Sequence, residues 1–245
     1  MTRGLALGAA REAPVPHSRG TPMRRLSVSV STALALGLLL TSCGSGDPPK
    51  AAQKCDNTLS PEAETAAGTL LGTKTFESSG STLDRAADRV VADWETWQTG
   101  RPLGHPSMCE LAAKAPLKTG IDIDVRLYEK DDLFNNGSTW WAQGRSLYTM
   151  GRETSASNKT AHLYVGCSSP RLKGSEKAPA PLQVYATFDR PLKGTYPQST
   201  PAVREAYVTV VHSVALEIVR KLGCENDAGL PAKPVFTTKK WRGEP

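Results

Sequence analysis

Residues 200–223 read TPAVREAYVTVVHSVALEIVRKLG, and this stretch decides the fold. Thr200 can cap a helix with its side chain, Pro201 suits the first helical position, and Gly223 suits a left-handed stop. Between them Val203, Ala206, Tyr207, Val210, Val211, Val214, Ile218, Val219 and Leu222 recur at helical spacing and form one long apolar stripe. Arg220 and Lys221 fall in the last turn, where positive charge complements the helix dipole. A helix with such a stripe must bury it against a second layer, and the preceding residues say what that layer is.

From Gly120 the apolar period becomes two. Ile121, Ile123, Val125 and Leu127 alternate with Asp122, Asp124, Arg126 and Tyr128, which predicts a strand with one wet face. Asn135-Asn136-Gly137 is turn chemistry. Further strands are expected over 139–143, 145–150, 160–167 and 182–188. One-sided alternation with short polar connections favours antiparallel pairing. Upstream, Ser60-Pro61 opens a helix that ends before Gly72, and a second helix is expected from Ser81, with Asp84 completing a capping-box variant. A short helical turn is expected over 109–114. The order helix, helix, strands, helix predicts an α+β fold: an antiparallel sheet with helices packed on it and a long amphipathic C-terminal helix across one face.

The front of the chain has a different character. Arg24 and Arg25 precede an apolar run over 28–40, which Leu40-Thr41-Ser42-Cys43 closes. A run this short falls below the roughly 20 residues of a membrane-spanning helix and matches the apolar region of a secretory signal. The order of basic start, apolar run and cysteine resembles a bacterial lipoprotein signal peptide with its lipobox. That resemblance implies cleavage before Cys43, lipidation of the Cys43 thiol with palmitate-class acyl chains, and anchorage to the extracytoplasmic face of the cell membrane. Each chain contributes about 0.8 kcal/mol per buried methylene, and two chains anchor stably where one does not. Ser27 stands two residues after Arg25, where a twin-arginine signal carries a large apolar residue, so general secretion is favoured. Residues 1–22 show no apolar periodicity, and Met23 sits where an initiator would give a normal signal. The expected organisation is a signal over 1–42, a lipidated tether over 43–54, a single domain over 55–230 and a tail over 231–245. Fully extended, the tether reaches at most roughly 35–40 Å.

Charge and cysteine usage agree with export. The formal charge of +6 invites a nucleic-acid reading, but Arg3, Arg11, Arg19, Arg24 and Arg25 stand against Glu12 alone within 1–42. The chain from Cys43 onward is close to neutral and has no long basic block, so nucleic-acid binding is not proposed. Beyond Cys43 lie Cys55, Cys109, Cys167 and Cys224. An even number in an oxidising compartment predicts two disulfides, and of three connectivities Cys55–Cys109 with Cys167–Cys224 is preferred. Their wide spacing, without a Cys-x-x-Cys pair or clustered histidines, gives no metal site, and no cofactor motif occurs.

Candidate chemistry is sparse. His105, His162 and His212 lie beyond the signal, and no nucleophile or carboxylate motif accompanies them. His212 reads as a packed helix residue, and His162 with Tyr164 as a surface pair on one strand face. Asp122 and Asp124 share a strand face ahead of Asp131-Asp132, the arrangement a calcium site or a glycosidase acid/base pair would use, but no matching loop is present. Trp140-Trp141, with Tyr148 and Tyr164 on neighbouring strands, is the best candidate binding surface. Adjacent strand residues point to opposite faces, so one indole is expected to be exposed for stacking on a sugar or seating in a partner.

The stretch Leu163-Tyr164-Val165-Gly166-Cys167, the helix ending Lys221-Leu222-Gly223-Cys224-Glu225 and the subsequent Gly229-Leu230-Pro231 are similar to uncharacterised small actinobacterial lipoproteins. That family carries no established activity to transfer. The resulting expectation is a lipid-anchored, non-enzymatic module for a small ligand, a glycan or an envelope protein. The alternative is an envelope hydrolase acting on cell-wall or carbohydrate material.

Overall fold

The computed structural model describes residues 54–97, 99, 107–114, 119–134, 144–189 and 196–242. The signal, Cys43, most of the tether, His105, the predicted strand over 139–143 and the Trp140-Trp141 pair lie outside the described residues.

The C-terminal helix forms as its pattern demands. It spans Pro201–Leu222 (α3); the Thr200 hydroxyl accepts from the Val203 amide, and Gly223 stops it at φ 70°. Helix α1 covers Pro61–Leu71, with Ser60 Oγ accepting from Ala63 N and Gly72 left-handed at φ 67°. Ser213 Oγ of α3 accepts from Ser60 N and donates to Thr58 O, both at 2.8 Å, which fixes the start of α1 on the long helix. Helix α2 covers Leu83–Trp97. Its cap lies one residue later than expected: Thr82 Oγ1 accepts from Arg85 N, and Asp56 Oδ2 takes the orphan Leu83 amide at 2.7 Å.

These helices pack on one face of an eight-stranded, wholly antiparallel sheet. Its strands are β1 Phe76–Gly80, β2 Ser107–Ala113, β3 Gly120–Leu127, β4 Ser146–Tyr148, β5 Glu153–Ala156, β6 Thr160–Cys167, β7 Ala180–Asp189 and β8 Thr238–Lys239. Across the sheet they run β1-β2-β3-β7-β6-β5-β4-β8. The fold is therefore α+β, as predicted. On the inner face Val125 pairs with Val184, Val184 with Leu163 and Leu163 with Thr154, and beneath them lie Val210, Val211, Val214 and Ile218 of α3, none more than 1% exposed.

Two disulfides are present, Cys55–Cys109 and Cys167–Cys224, in the preferred connectivity. Each ties a strand to a left-handed turn. Cys55, Asp56 and Asn57 have positive φ in the first turn, and Asn226, Asp227 and Ala228 in the turn after Cys224. Non-glycine residues adopt that conformation at a cost, and a covalent tie offsets it.

Three expectations are corrected. The region 109–114 is strand and not helical turn, because β2 hydrogen-bonds to β1 on one side and β3 on the other. Residues after 230 are not a detached tail: β8 pairs with β4, and Pro231 O meets His212 Nε2 at 2.8 Å. The predicted wet face of β3 is only partly wet, since Asp124 is 8% and Tyr128 2% exposed. Residues from β5, β6 and β7 and the segment 128–134 crowd that face.

Candidate functional site

Cross-strand register collects the polar residues of the outer face into rows. Arg126 of β3 lies beside Gln183 of β7, Gln183 beside Tyr164 of β6, and Tyr164 beside Glu153 of β5. One step along, Asp124, Tyr185, His162 and Ser155 form the next row. The rings make a ladder: His162 stacks at 10° with both Tyr164 and Tyr185, and Phe134 closes edge-on over His162 at 4.6 Å between centroids. Tyr128, Phe134 and Tyr164 form a second, smaller apolar cluster, with Leu133 and Trp241 packed against it.

In this face lies a recess of about 290 Å³ lined by Arg126, Asp131, Asp132, Leu133, Phe134, Arg145, His162 and Tyr164. That volume is near the lower limit for small-molecule sites. Two guanidiniums flank it from opposite sides. Arg126 lies over the Tyr185 ring and donates from Nε to Gln183 Oε1. Arg145 lies over the Phe134 ring at 4.4 Å and donates to the hydroxyls of Ser155 and Thr160.

The network fixes the histidine's protonation. Gln183 Oε1 receives the Arg126 proton, so the amide nitrogen faces His162 Nδ1 at 2.9 Å as a donor. Nδ1 must then accept, which leaves the single imidazole proton on Nε2. Burial, and then the positive fields of Arg145 and Arg126, hold the His162 pKa well below its ordinary value. Burial likewise pushes Arg145 down to about 10, against the opposing influence of Tyr164 and Glu153. The Tyr164 phenol is pushed far up by burial and by Glu153 and Asp132, and its hydroxyl donates to Asp132 O at 2.9 Å. Tyr185 is raised to about 12 by burial and a hydrogen bond to Asp124. The recess therefore presents two guanidiniums, a neutral imidazole and a protonated phenol, with the side chains of Asp131 and Asp132 also in its lining.

The sequence candidates fall out unevenly. Tyr164 lines the recess, but Tyr148 does not join it. Its partner across the ladder is Thr154, on the helix-facing side, and at 2% exposure it belongs to the main core. The His162–Tyr164 surface pair is instead a packed pair, with Tyr164 1% exposed beneath Phe134 and Tyr128. His212 is a packed helix residue held by Pro231 O. Asp122 is raised by burial and by the nearby Glu110, Asp189 and Asp124, but neither Asp122 nor Asp124 lines the recess. Among the described residues no group of three or more His, Cys, Asp or Glu could hold a metal ion, and no helix is long and apolar enough to cross a membrane. Arg126, Arg145, Gln183 and Phe134 do not stand out in the sequence as site residues. Only Arg126 carried a signal, as a polar position in the β3 alternation.

No protein-family model matches this chain, and neither a curated protein nor a solved structure is similar to it.

Proposed function

We propose that this chain is a lipid-anchored, extracytoplasmic binding protein whose ligand site is the recess on the outer face of the sheet. The signal-like sequence ending at Cys43 supports the anchor, and membrane attachment through lipid on Cys43 follows from it. Residues 44–53 then tether the disulfide-braced domain to the lipid. One observation carries the binding role. The recess is built from polar side chains held by defined partners, with half-buried guanidiniums on two sides, where a sheet surface exposed to water would need only scattered polar residues. Such preorganisation is what a site for a small molecule, or for the terminal group of a larger envelope component, requires. Its imidazole is committed through Nδ1 to Gln183 and held neutral, an arrangement that suits hydrogen bonding to a guest.

The test is recovery of the lipidated protein from its envelope in mild detergent, followed by native mass spectrometry and identification of released small molecules. A bound compound whose readdition moves the amide resonances of Leu133 and Phe134 is expected. If nothing accompanies the protein, and envelope extracts leave those resonances unmoved, the binding role is refuted.

A further inference from the structure

We infer that the recess is an oxyanion site, which takes the carboxylate or phosphate of a small molecule between the guanidiniums of Arg126 and Arg145, with His162 Nε2–H as a third donor. This rests on the proposed binding role and assigns the chemistry of its ligand.

The two guanidiniums at the recess have no ion-pair partner among the described residues, although Asp131 and Asp132 share the lining. Both are half-buried, and withdrawing a guanidinium from water has a cost that a facing carboxylate would offset. Among the described residues no carboxylate comes within 4.0 Å of Arg126 or Arg145, whereas other lysines and arginines do make such contacts, among them Arg171 with Asp88 and Arg220 with Glu217. Arg145 is held instead by the hydroxyls of Ser155 and Thr160 and by the face of Phe134, and Arg126 by an amide oxygen and the face of Tyr185. These contacts orient the cations without an ion pair, and Glu153 acts on Arg145 only from beyond 4.0 Å.

The nearby carboxylates are engaged elsewhere. Asp132 Oδ2 accepts from Glu129 N at 2.8 Å, and Glu153 Oε1 accepts from Phe134 N at 2.8 Å. Asp131 also lines the recess and has a partner of its own. Each guanidinium carries five N–H donors, of which Arg126 uses one and Arg145 two in these contacts. These contacts therefore leave seven guanidinium donors unused.

Topology places the two cations to converge. Strand order puts β3 and β5–β4 on either side of the β7–β6 pair. Arg126 therefore reaches the recess from one side and Arg145 from the other, with His162 between them on β6. The field of the guanidiniums is felt at His162, whose pKa both lower. A cationic guest would meet two guanidiniums, and a neutral one would leave them without an ion pair. An oxyanion supplies that ion pair together with several acceptor lone pairs, the geometry for which arginine is suited.

The experiment uses the chain from residue 44 onward, which contains every described element and both disulfides. Inorganic phosphate and benzoate are titrated separately at fixed ionic strength, by calorimetry and by NMR of the histidine ring protons. Saturable binding of either anion with movement of the His162 signal is expected; the better arm identifies a phosphate or a carboxylate ligand. Arg126→Met should weaken it about tenfold to a hundredfold, the effect of losing charge-assisted hydrogen bonds. Arg145→Lys, which keeps the charge but loses the fork, should weaken it less and covers the case in which the first variant fails to fold. Lys233→Met, beside a separate groove, should change nothing. Absence of binding by both anions, or affinity unchanged in folded Arg126→Met, overturns the inference. A neutral compound that co-purifies and occupies the recess while both anions fail would overturn it and leave the binding role standing.

Discussion

Replacing Tyr207 by phenylalanine should stabilise this protein, although the residue is fully buried in the core. Tyr207 lies on α3 at 0% exposure, and its hydroxyl has no hydrogen-bond partner among the described residues. Burial, with a further contribution from Tyr196, pushes its pKa far up, as an enclosed phenol requires. In the unfolded chain the same hydroxyl is solvated by water. Burying it unpaired costs about 1–3 kcal/mol. Phenylalanine keeps the ring and its packing and gives up only the oxygen, leaving a void of about 10–15 Å³ that costs roughly 0.3 kcal/mol at about 24 cal/mol per Å³. The expected net gain is about 1–2 kcal/mol, or roughly 2–8 °C in Tm for a domain of this size.

Tyr164 is the control, because it is almost equally buried but its hydroxyl donates to Asp132 O at 2.9 Å. Tyr164→Phe removes a satisfied hydrogen bond and should cost about 0.5–1.5 kcal/mol. The assay is urea unfolding of both variants, with the midpoint read at unchanged m-value. Opposite signs are expected. A Tyr207→Phe protein less stable than the parent would refute the reasoning, since it would mean that the hydroxyl is satisfied in the folded state.

Legibility in the sequence followed locality. Helices α1 and α3 and strands β3, β6 and β7 were readable because caps and periodicity lie within each segment. The disulfide pairing was readable because each bridge joins cysteines that are neighbours along the chain. Strands β1, β5 and β8 were missed. β1 reads FESSG and β5 reads ETSA, so neither carries an apolar alternation. All four residues of β5 are nonetheless buried, because β4, β6 and the layers above and below enclose them. The site was harder still. Arg126 and Gln183 meet because β3 pairs with β7, across 57 residues of chain. No local pattern specifies that crossover, whereas in the Trp140-Trp141 pair residue type alone signals a surface. The recess instead uses arginines whose significance appears only when their missing counter-ions are noticed, and a counter-ion's absence is a property of the folded molecule.

The anchor, one turn and acid stability can each be tested as well. Cys43→Ala should accumulate as an uncleaved precursor without lipid in membrane fractions; normal processing, seen by intact mass, would end the lipoprotein proposal. Gly151→Ala should destabilise by about 2–4 kcal/mol in urea melts, because φ is +64° and the new Cβ would lie 2.6 Å from Tyr164 O; an unperturbed midpoint would contradict that turn. Stability should fall as pH drops below about 6.5, because His162 and His212 both have folded pKa values below that of the unfolded chain. Between the folded and unfolded pKa values the unfolded state binds more protons, so acid favours unfolding, by up to about 1.4 kcal/mol per pH unit for each histidine. The window closes once the folded-state histidines also protonate, and nothing is lost above it. His162→Gln should flatten the slope between pH 6.5 and 5, above the ordinary carboxylate range, and a slope identical to the parent's would show that His162 is not held neutral in the fold.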